Sequence, residues 1–209
     1  MERREAVKYI SLLLGGAVVG ASSFLTGCKS KTGEAKSFSP EQIACLDEIA
    51  ETILPATSTP GAKAARVGQF MTVMINDCYE ASDQQTFMDG MRNINEESEK
   101  RFGKDFMSST PQQRTELLTA LDREARDHQH KLNDFNAKED QKEKEEIARG
   151  NTKYVKNRMS PHYFSMMKQL TLLGYFTSEV GAKQALRHNP VPGRFEGCIP
   201  YKKGDRAWA

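Results

Sequence analysis

The sequence predicts an all-α protein, a small helical bundle with a long irregular C-terminal arm. Three observations carry that expectation. Apolar residues recur three and four apart in one segment after another. A Ser/Thr-Pro-x-Gln helix opening occurs twice, at Ser39 and at Thr110. No segment alternates apolar and polar residues as a half-buried strand would.

The first helix opens at Ser39-Pro40-Glu41-Gln42. Ser39 caps, Pro40 suits the first turn, and Gln42 stands at the capping-box position. Ile43, Leu46, Ile49, Ile53 and Leu54 form its inward stripe, and Pro55 ends it before the loop Thr57-Ser58-Thr59-Pro60-Gly61. Residues 69–79 predict a second helix with Phe70, Val73, Met74 and Cys78 inward. A third is expected to be capped by Ser82, to bury Phe87, Met91, Ile94 and Phe102, and to stop at Gly103. Thr110-Pro111-Gln112-Gln113 opens a fourth, with Leu117, Leu118, Leu121 and Ala125 inward. Ser160-Pro161 is expected to start a fifth through Phe164, Met167, Leu170 and Leu173, broken by Gly174. Thr177 or Ser178 then caps a short helix ending near Leu186.

Between the fourth and fifth helices the composition changes. Eight of the nine residues from Lys138 to Glu146 are charged, with mixed signs. A charged insertion over about residues 127–153 is therefore expected, either a solvated helix laced with i,i+4 pairs or a mobile segment.

Residues 1–27 read as an export signal. Arg3, Arg4 and Lys8 precede an uncharged run from Tyr9 to Leu25, and Leu25-Thr26-Gly27-Cys28 closes it. That ending resembles a bacterial lipobox, so Cys28 is the expected lipidated N-terminus, followed by a flexible tether over 28–38 and one helical domain over 39–209. Arg3-Arg4 leaves two readings open, a twin-arginine export signal or an ordinary basic leader. The expected location is the periplasmic side of a bacterial membrane, lipid-anchored.

Composition excludes little else. The chain of 209 residues carries 30 basic and 28 acidic side chains, a net of +2, and no nucleic-acid footprint. Once Cys28 is acylated, Cys45, Cys78 and Cys198 remain, so at most one internal disulfide is expected. No Cys-x-x-Cys, glycine-rich nucleotide loop, Gly-x-Ser-x-Gly elbow or haem-attachment motif occurs. No catalytic, metal or cofactor site of its own is therefore expected. His128 and His130, two apart, point to different sides of a helix and read as exposed. His162 reads as an early-turn surface residue and His188 as a lone histidine in the arm. Glu179 reads as a carboxylate stabilised by the free N–H groups of a helix start.

The arm, residues 187–209, is the least ordinary segment. It mixes Pro190, Pro192 and Pro200 with Gly193 and Gly197, and carries Arg194, Phe195, Ile199, Tyr201 and Trp208 as interface-type anchors. The residues leave open whether it meets a partner or wraps its own bundle.

Two runs then suggest a family. Leu172-Leu173-Gly174-Tyr175-Phe176-Thr177-Ser178-Glu179-Val180-Gly181 and Pro190-Val191-Pro192-Gly193-Arg194-Phe195-Glu196-Gly197-Cys198 resemble the signature of the gluconate 2-dehydrogenase subunit 3 family. Phe38-Ser39-Pro40-Glu41-Gln42 and the run from Ile53 to Ala62 resemble its N-terminal half. The resemblance implies a small non-catalytic subunit that helps a large FAD-dependent oxidoreductase of the glucose–methanol–choline type to fold and leave the cell. Sugars or sugar acids would be the substrates of that partner, and a cytochrome c carrying haem a possible acceptor. On this resemblance Tyr175, Phe176, Glu179, Arg194, Phe195 and Cys198 are the candidate partner contacts. Free-standing enzyme and sugar-binding lipoprotein are the competing classes.

Overall fold

The computed structural model describes residues 38–191, 193–194 and 197–208. The expectations on Arg3, Arg4, Cys28 and Phe195 lie outside the described residues. Five α-helices follow one another: α1 Pro40–Ile53, α2 Val67–Cys78, α3 Ala81–Phe102, α4 Pro111–Ala148 and α5 Tyr163–Thr177. A single π-helical turn, Gly181–Ala185, comes after them. No strand forms among the described residues; one isolated bridge joins Arg187 to Trp208.

Both capping boxes form. The Ser39 hydroxyl accepts from the Gln42 N–H, while the Gln42 side chain accepts from the Ser39 N–H at 2.9 Å. Thr110 and Gln113 repeat the exchange at the start of α4. Phe38, expected at the end of the tether, is instead buried, its ring edge-on to Phe87 at 6.4 Å. The bundle thus begins before its first cap.

α5 is the axis of the bundle. It packs on α1, α2, α3 and α4, burying Phe164, Met166, Met167, Leu170, Thr171, Gly174 and Tyr175. Leu46 and Ile49 of α1, Met71 and Ile75 of α2, Phe87 and Ile94 of α3, and Leu117 and Leu121 of α4 surround it. Each such side chain stabilises the fold by roughly 1.5–3 kcal/mol relative to exposure. Arg114 closes one end. Its Nε donates to the Phe106 carbonyl at 2.9 Å, its Nη2 to the Met107 carbonyl at 2.5 Å, and it pairs with Glu48 of α1.

Several local expectations are corrected. The inward stripe of α2 is Val67, Gly68, Met71, Thr72 and Ile75; Val73 and Cys78 are exposed, and Phe70 and Met74 are half-buried. α2 starts at Val67, two residues before the expected run, behind Arg66 with φ of 53°, and its packing on α1 and α5 selects the face that carries Gly68, Met71 and Ile75. Ser82 does not cap α3, which starts at Ala81 behind Glu80. α5 starts behind His162, not at Ser160-Pro161, because the His162 Nδ1 accepts from the Phe164 N–H at 3.2 Å. Leu173 is exposed rather than inward. Gly174 does not break α5. It is buried inside the helix, where a Cβ would stand 2.6 Å from Cδ1 of Phe70. Its missing side chain lets α2 approach.

Gly68 is the stricter of two such contacts. Its N–H donates to Asp47 Oδ1 at 2.7 Å, and a Cβ there would meet the Ile43 backbone carbonyl at 2.7 Å. At Gly174 the obstacle is a half-buried ring that can turn aside, whereas at Gly68 it is backbone. Gly68→Ala is therefore expected to destabilise by about 1–3 kcal/mol through overpacking and Gly174→Ala by less. Denaturant midpoints of the two variants check the order; equal midpoints would refute it.

The charged insertion is helical. α4 has 38 residues and so runs about 57 Å. Beyond Ala125, Leu132 and Glu139 are its buried residues, so this half extends past the core. The pairs that hold it are not the expected i,i+4 set. Glu139 pairs with Lys142 at 2.6 Å and Glu146 with Arg149 at 3.1 Å, both three apart. The rest come from the returning chain, residues 150–162. Lys156 reaches Asp140 and Glu143 at 3.0 Å each, and Arg158 pairs with Asp83 on α3.

Candidate partner-docking site

α5 reads Tyr-Phe-Ser-Met-Met-Lys-Gln-Leu-Thr-Leu-Leu-Gly-Tyr-Phe-Thr, apolar on nearly every side. A helix of that kind is ordinarily covered all round. Here positions 164, 167, 170, 171, 174 and 175 face the core. Leu172 at 39%, Leu173 at 41% and Phe176 at 39% exposure face outward instead. Spacings of three and four put Leu172, Leu173 and Phe176 on one side. Val73 of α2, one turn from the Phe70 that covers Gly174, is also exposed. Single exposed apolar residues are ordinary; a set on one helix face is the mark of a docking surface.

A groove of about 320 Å³ between α4 and α5 leads to this face. Ala125, Gln129, Ser165, Gln169 and Leu172 line it, and the Asp122–Lys168 pair at 2.6 Å closes one end. Lys168, then Arg126, hold the Asp122 carboxyl below its ordinary range. It stays ionised and already has its partners. Beyond this pair lies a second hollow of about 210 Å³ that includes Thr52, Thr115 and Thr119. Those three hydroxyls donate to carbonyls of their own helices. The two hollows offer shape and apolar contact.

The candidate contacts separate. Tyr175 is buried, and its hydroxyl donates to the Pro60 carbonyl at 2.6 Å, so it ties the loop after α1 to the core. Phe176, its neighbour, presents the exposed ring. Glu179 is exposed and pairs with Lys183 at 2.6 Å, which holds its carboxyl below the ordinary range. Its partner is this side chain, not the helix-start N–H groups expected for it. Ser178, one of the two expected caps, accepts from the Gly181 N–H at 3.0 Å and donates to the Tyr175 carbonyl at 2.6 Å. Arg194 and Cys198 lie exposed on the arm.

The histidines also differ from expectation. His130 and His188 are exposed, but His128 is half-buried and faces His162, ring centres 5.7 Å apart. His162 is half-buried too and stacks on Tyr163 at 4.4 Å. Burial, then the neighbouring His128, push the His162 pKa down. Because its Nδ1 accepts from the Phe164 N–H, the neutral ring carries its proton on Nε2.

All three described cysteines are free. Cys45 is buried in α1, and burial pushes its thiol up to about 11. Cys78 and Cys198 are exposed. A maleimide probe at neutral pH is expected to label Cys78 and Cys198 in the folded chain and Cys45 only after denaturation, since thiolate and access are both needed. Fast labelling of Cys45 by mass spectrometry would contradict its placement.

The family model for gluconate 2-dehydrogenase subunit 3 matches residues 40–193. The chain belongs to the gluconate 2-dehydrogenase subunit 3 family. A search of curated proteins and a search of solved structures give no match. Membership makes the chain a subunit of a multi-subunit dehydrogenase complex. The matched span holds all five helices, the charged half of α4 and the π turn. Tyr175, Phe176 and Glu179 fall inside it, whereas Arg194, Phe195 and Cys198 follow its end.

Val73 was expected to be inward, and Leu172 and the Asp122–Lys168 pair were not read as site residues in the sequence. The apolar run Leu170 to Phe176, interrupted by Thr171 and Gly174, was the available signal. Spacing alone does not say which side of such a helix stays open.

Proposed function

We propose that this chain is the non-catalytic small subunit of a membrane-tethered dehydrogenase complex. Its partner is a large FAD-dependent subunit of the glucose–methanol–choline type that oxidises a sugar or sugar acid. The small subunit helps that partner fold, accompanies it out of the cell and anchors it through a lipid on Cys28. Electrons leave the flavin for a cytochrome c or another acceptor. The FAD belongs to the partner.

The observation that carries this reading is the open face of α5, Leu172, Leu173 and Phe176, in a chain of the subunit 3 family. Covering three large apolar side chains supplies favourable free energy at roughly 25 cal/mol per Å² removed from water. An aromatic ring at the centre of such a patch is the usual anchor.

Native extraction of membranes with an affinity-tagged full chain tests it. Recovery of a flavin-containing subunit with sugar-oxidising activity is expected. A monodisperse chain without flavin, or turnover by the purified chain alone, would overturn it. Arg3→Lys with Arg4→Lys is expected to strand the partner's activity inside the cell. Normal export of that activity would show that the leader serves this chain alone.

A further inference from the structure

We infer that the C-terminal arm is a pre-closed docking loop for an acidic, apolar-floored groove on the dehydrogenase subunit, and that Arg187, Asp205, Arg206 and Trp208 form the clamp that closes it. This rests on the subunit reading above and adds where and how the partner is held.

The two ends of the arm are tied together. The Arg187 N–H donates to the Ala207 carbonyl at 2.8 Å, and its guanidinium lies 5.5 Å from the centre of the Trp208 ring. Arg187 Nη2 pairs with Asp205 Oδ1 at 3.1 Å, while Asp205 Oδ2 accepts from the Lys202 N–H at 3.1 Å. Arg206 Nη1 donates to the Gln184 carbonyl at 2.7 Å, joining the clamp to the π turn. That turn packs on α5, the helix with the open face.

Beyond the clamp the loop touches little. Every described residue from His188 to Gly204 is exposed. Val191 is 79% and Tyr201 75% exposed. An arm wrapped on its own bundle would bury these side chains first, because their burial is what offsets the entropy of ordering the loop. Closing a loop and stiffening it with Pro190, Pro192 and Pro200 instead lowers the entropy lost when a partner binds. The arm's basic side chains are Arg187, Arg194, Lys202, Lys203 and Arg206, against Glu196 and Asp205. Arg187 and Asp205 neutralise one another within the clamp; Arg194, Lys202, Lys203 and Arg206 against Glu196 remain a basic balance, so the complementary surface is acidic. Val191, Ile199 and Tyr201 require apolar pockets within it.

The test titrates the full chain with the flavin-containing dehydrogenase subunit of the same organism. Its readouts are the dissociation constant at two salt concentrations and the melting temperature of the free chain. Ile199→Ser with Tyr201→Ser, and separately Lys202→Glu with Lys203→Glu, are expected to weaken binding about ten-fold or more, as hot-spot losses do, with melting unchanged. Trp208→Ala is expected to weaken binding and Trp208→Phe to restore most of it, since the ring is what stacks. Trp208 is the single tryptophan, so iodide quenching of the free chain reports the clamp directly and should rise in Asp205→Asn. Arm variants that bind the subunit like the original chain would overturn the proposal while leaving the subunit reading in place. Arm variants that lose only binding to phosphatidylglycerol vesicles would overturn it in favour of a lipid surface. No binding by the unaltered chain would overturn both.

Discussion

Leu173→Ser with Phe176→Ser is expected to leave the bundle folded and to abolish recovery of flavin with this chain. Both side chains are about two-fifths exposed and lie outside the buried core, so their truncation leaves the core side chains in place. The helix they sit on is held by its other side, through Phe164, Met167, Leu170 and Tyr175. The free chain should therefore stay folded and melt several degrees below the original, as a loss of about 1–2 kcal/mol from two partly buried side chains does. In a complex the same two residues are covered. Hot-spot truncations of about 2 kcal/mol each would weaken association roughly a thousand-fold. Flavin absorbance per mole of tagged chain in membrane extracts gives the readout. Undiminished flavin would place the partner elsewhere on the molecule. A collapse of the free chain's melting temperature would mean the face is structural. Truncating Tyr175, by contrast, should damage the free chain itself, because its ring is buried and its hydroxyl holds Pro60.

That contrast between neighbours 175 and 176 shows what the sequence can and cannot say. Helix existence was readable because capping chemistry is local. Ser39 with Gln42 and Thr110 with Gln113 meet the geometry written in their spacing. Helix faces were less readable. On α2 the apolar residues lie on more than one side, and packing against α1 and α5 buries Met71 and Ile75 and leaves Val73 and Cys78 outward. Gly174 read as a breaker because glycine usually is one, and only the position of Phe70 shows that it is a contact. The candidate site depended most on tertiary placement. Leu172, Leu173, Tyr175 and Phe176 are alike in character, and packing against four helices decides which of them remains outside.

Glu139 gives the second large effect. In a stretch of eight charges out of nine it is the buried one. Its Oε1 accepts from Lys142 Nζ at 2.6 Å. Its Oε2 accepts from the Asn157 N–H at 2.9 Å, the Tyr154 hydroxyl at 3.0 Å and Asn157 Nδ2 at 3.1 Å. One carboxylate thus fastens the returning chain to the far half of α4. Lys142 first, then the Asn157 N–H, hold its pKa down at about 2, from an ordinary 4.5. The folded value lies below the unfolded one, so the stabilisation is complete above pH 4.5 and is lost as pH falls through about 2. Amide protection of residues 152–158 should follow that window while α1, α2 and α5 stay protected. Glu139→Ala should release the segment at neutral pH, with trypsin cutting after Lys153 and Lys156 at sites the original chain protects. Glu139→Gln still accepts from Tyr154 and Asn157 but cannot titrate, so it should weaken the segment moderately and erase the acid dependence. Acid release that persists in Glu139→Gln would assign the transition to another group.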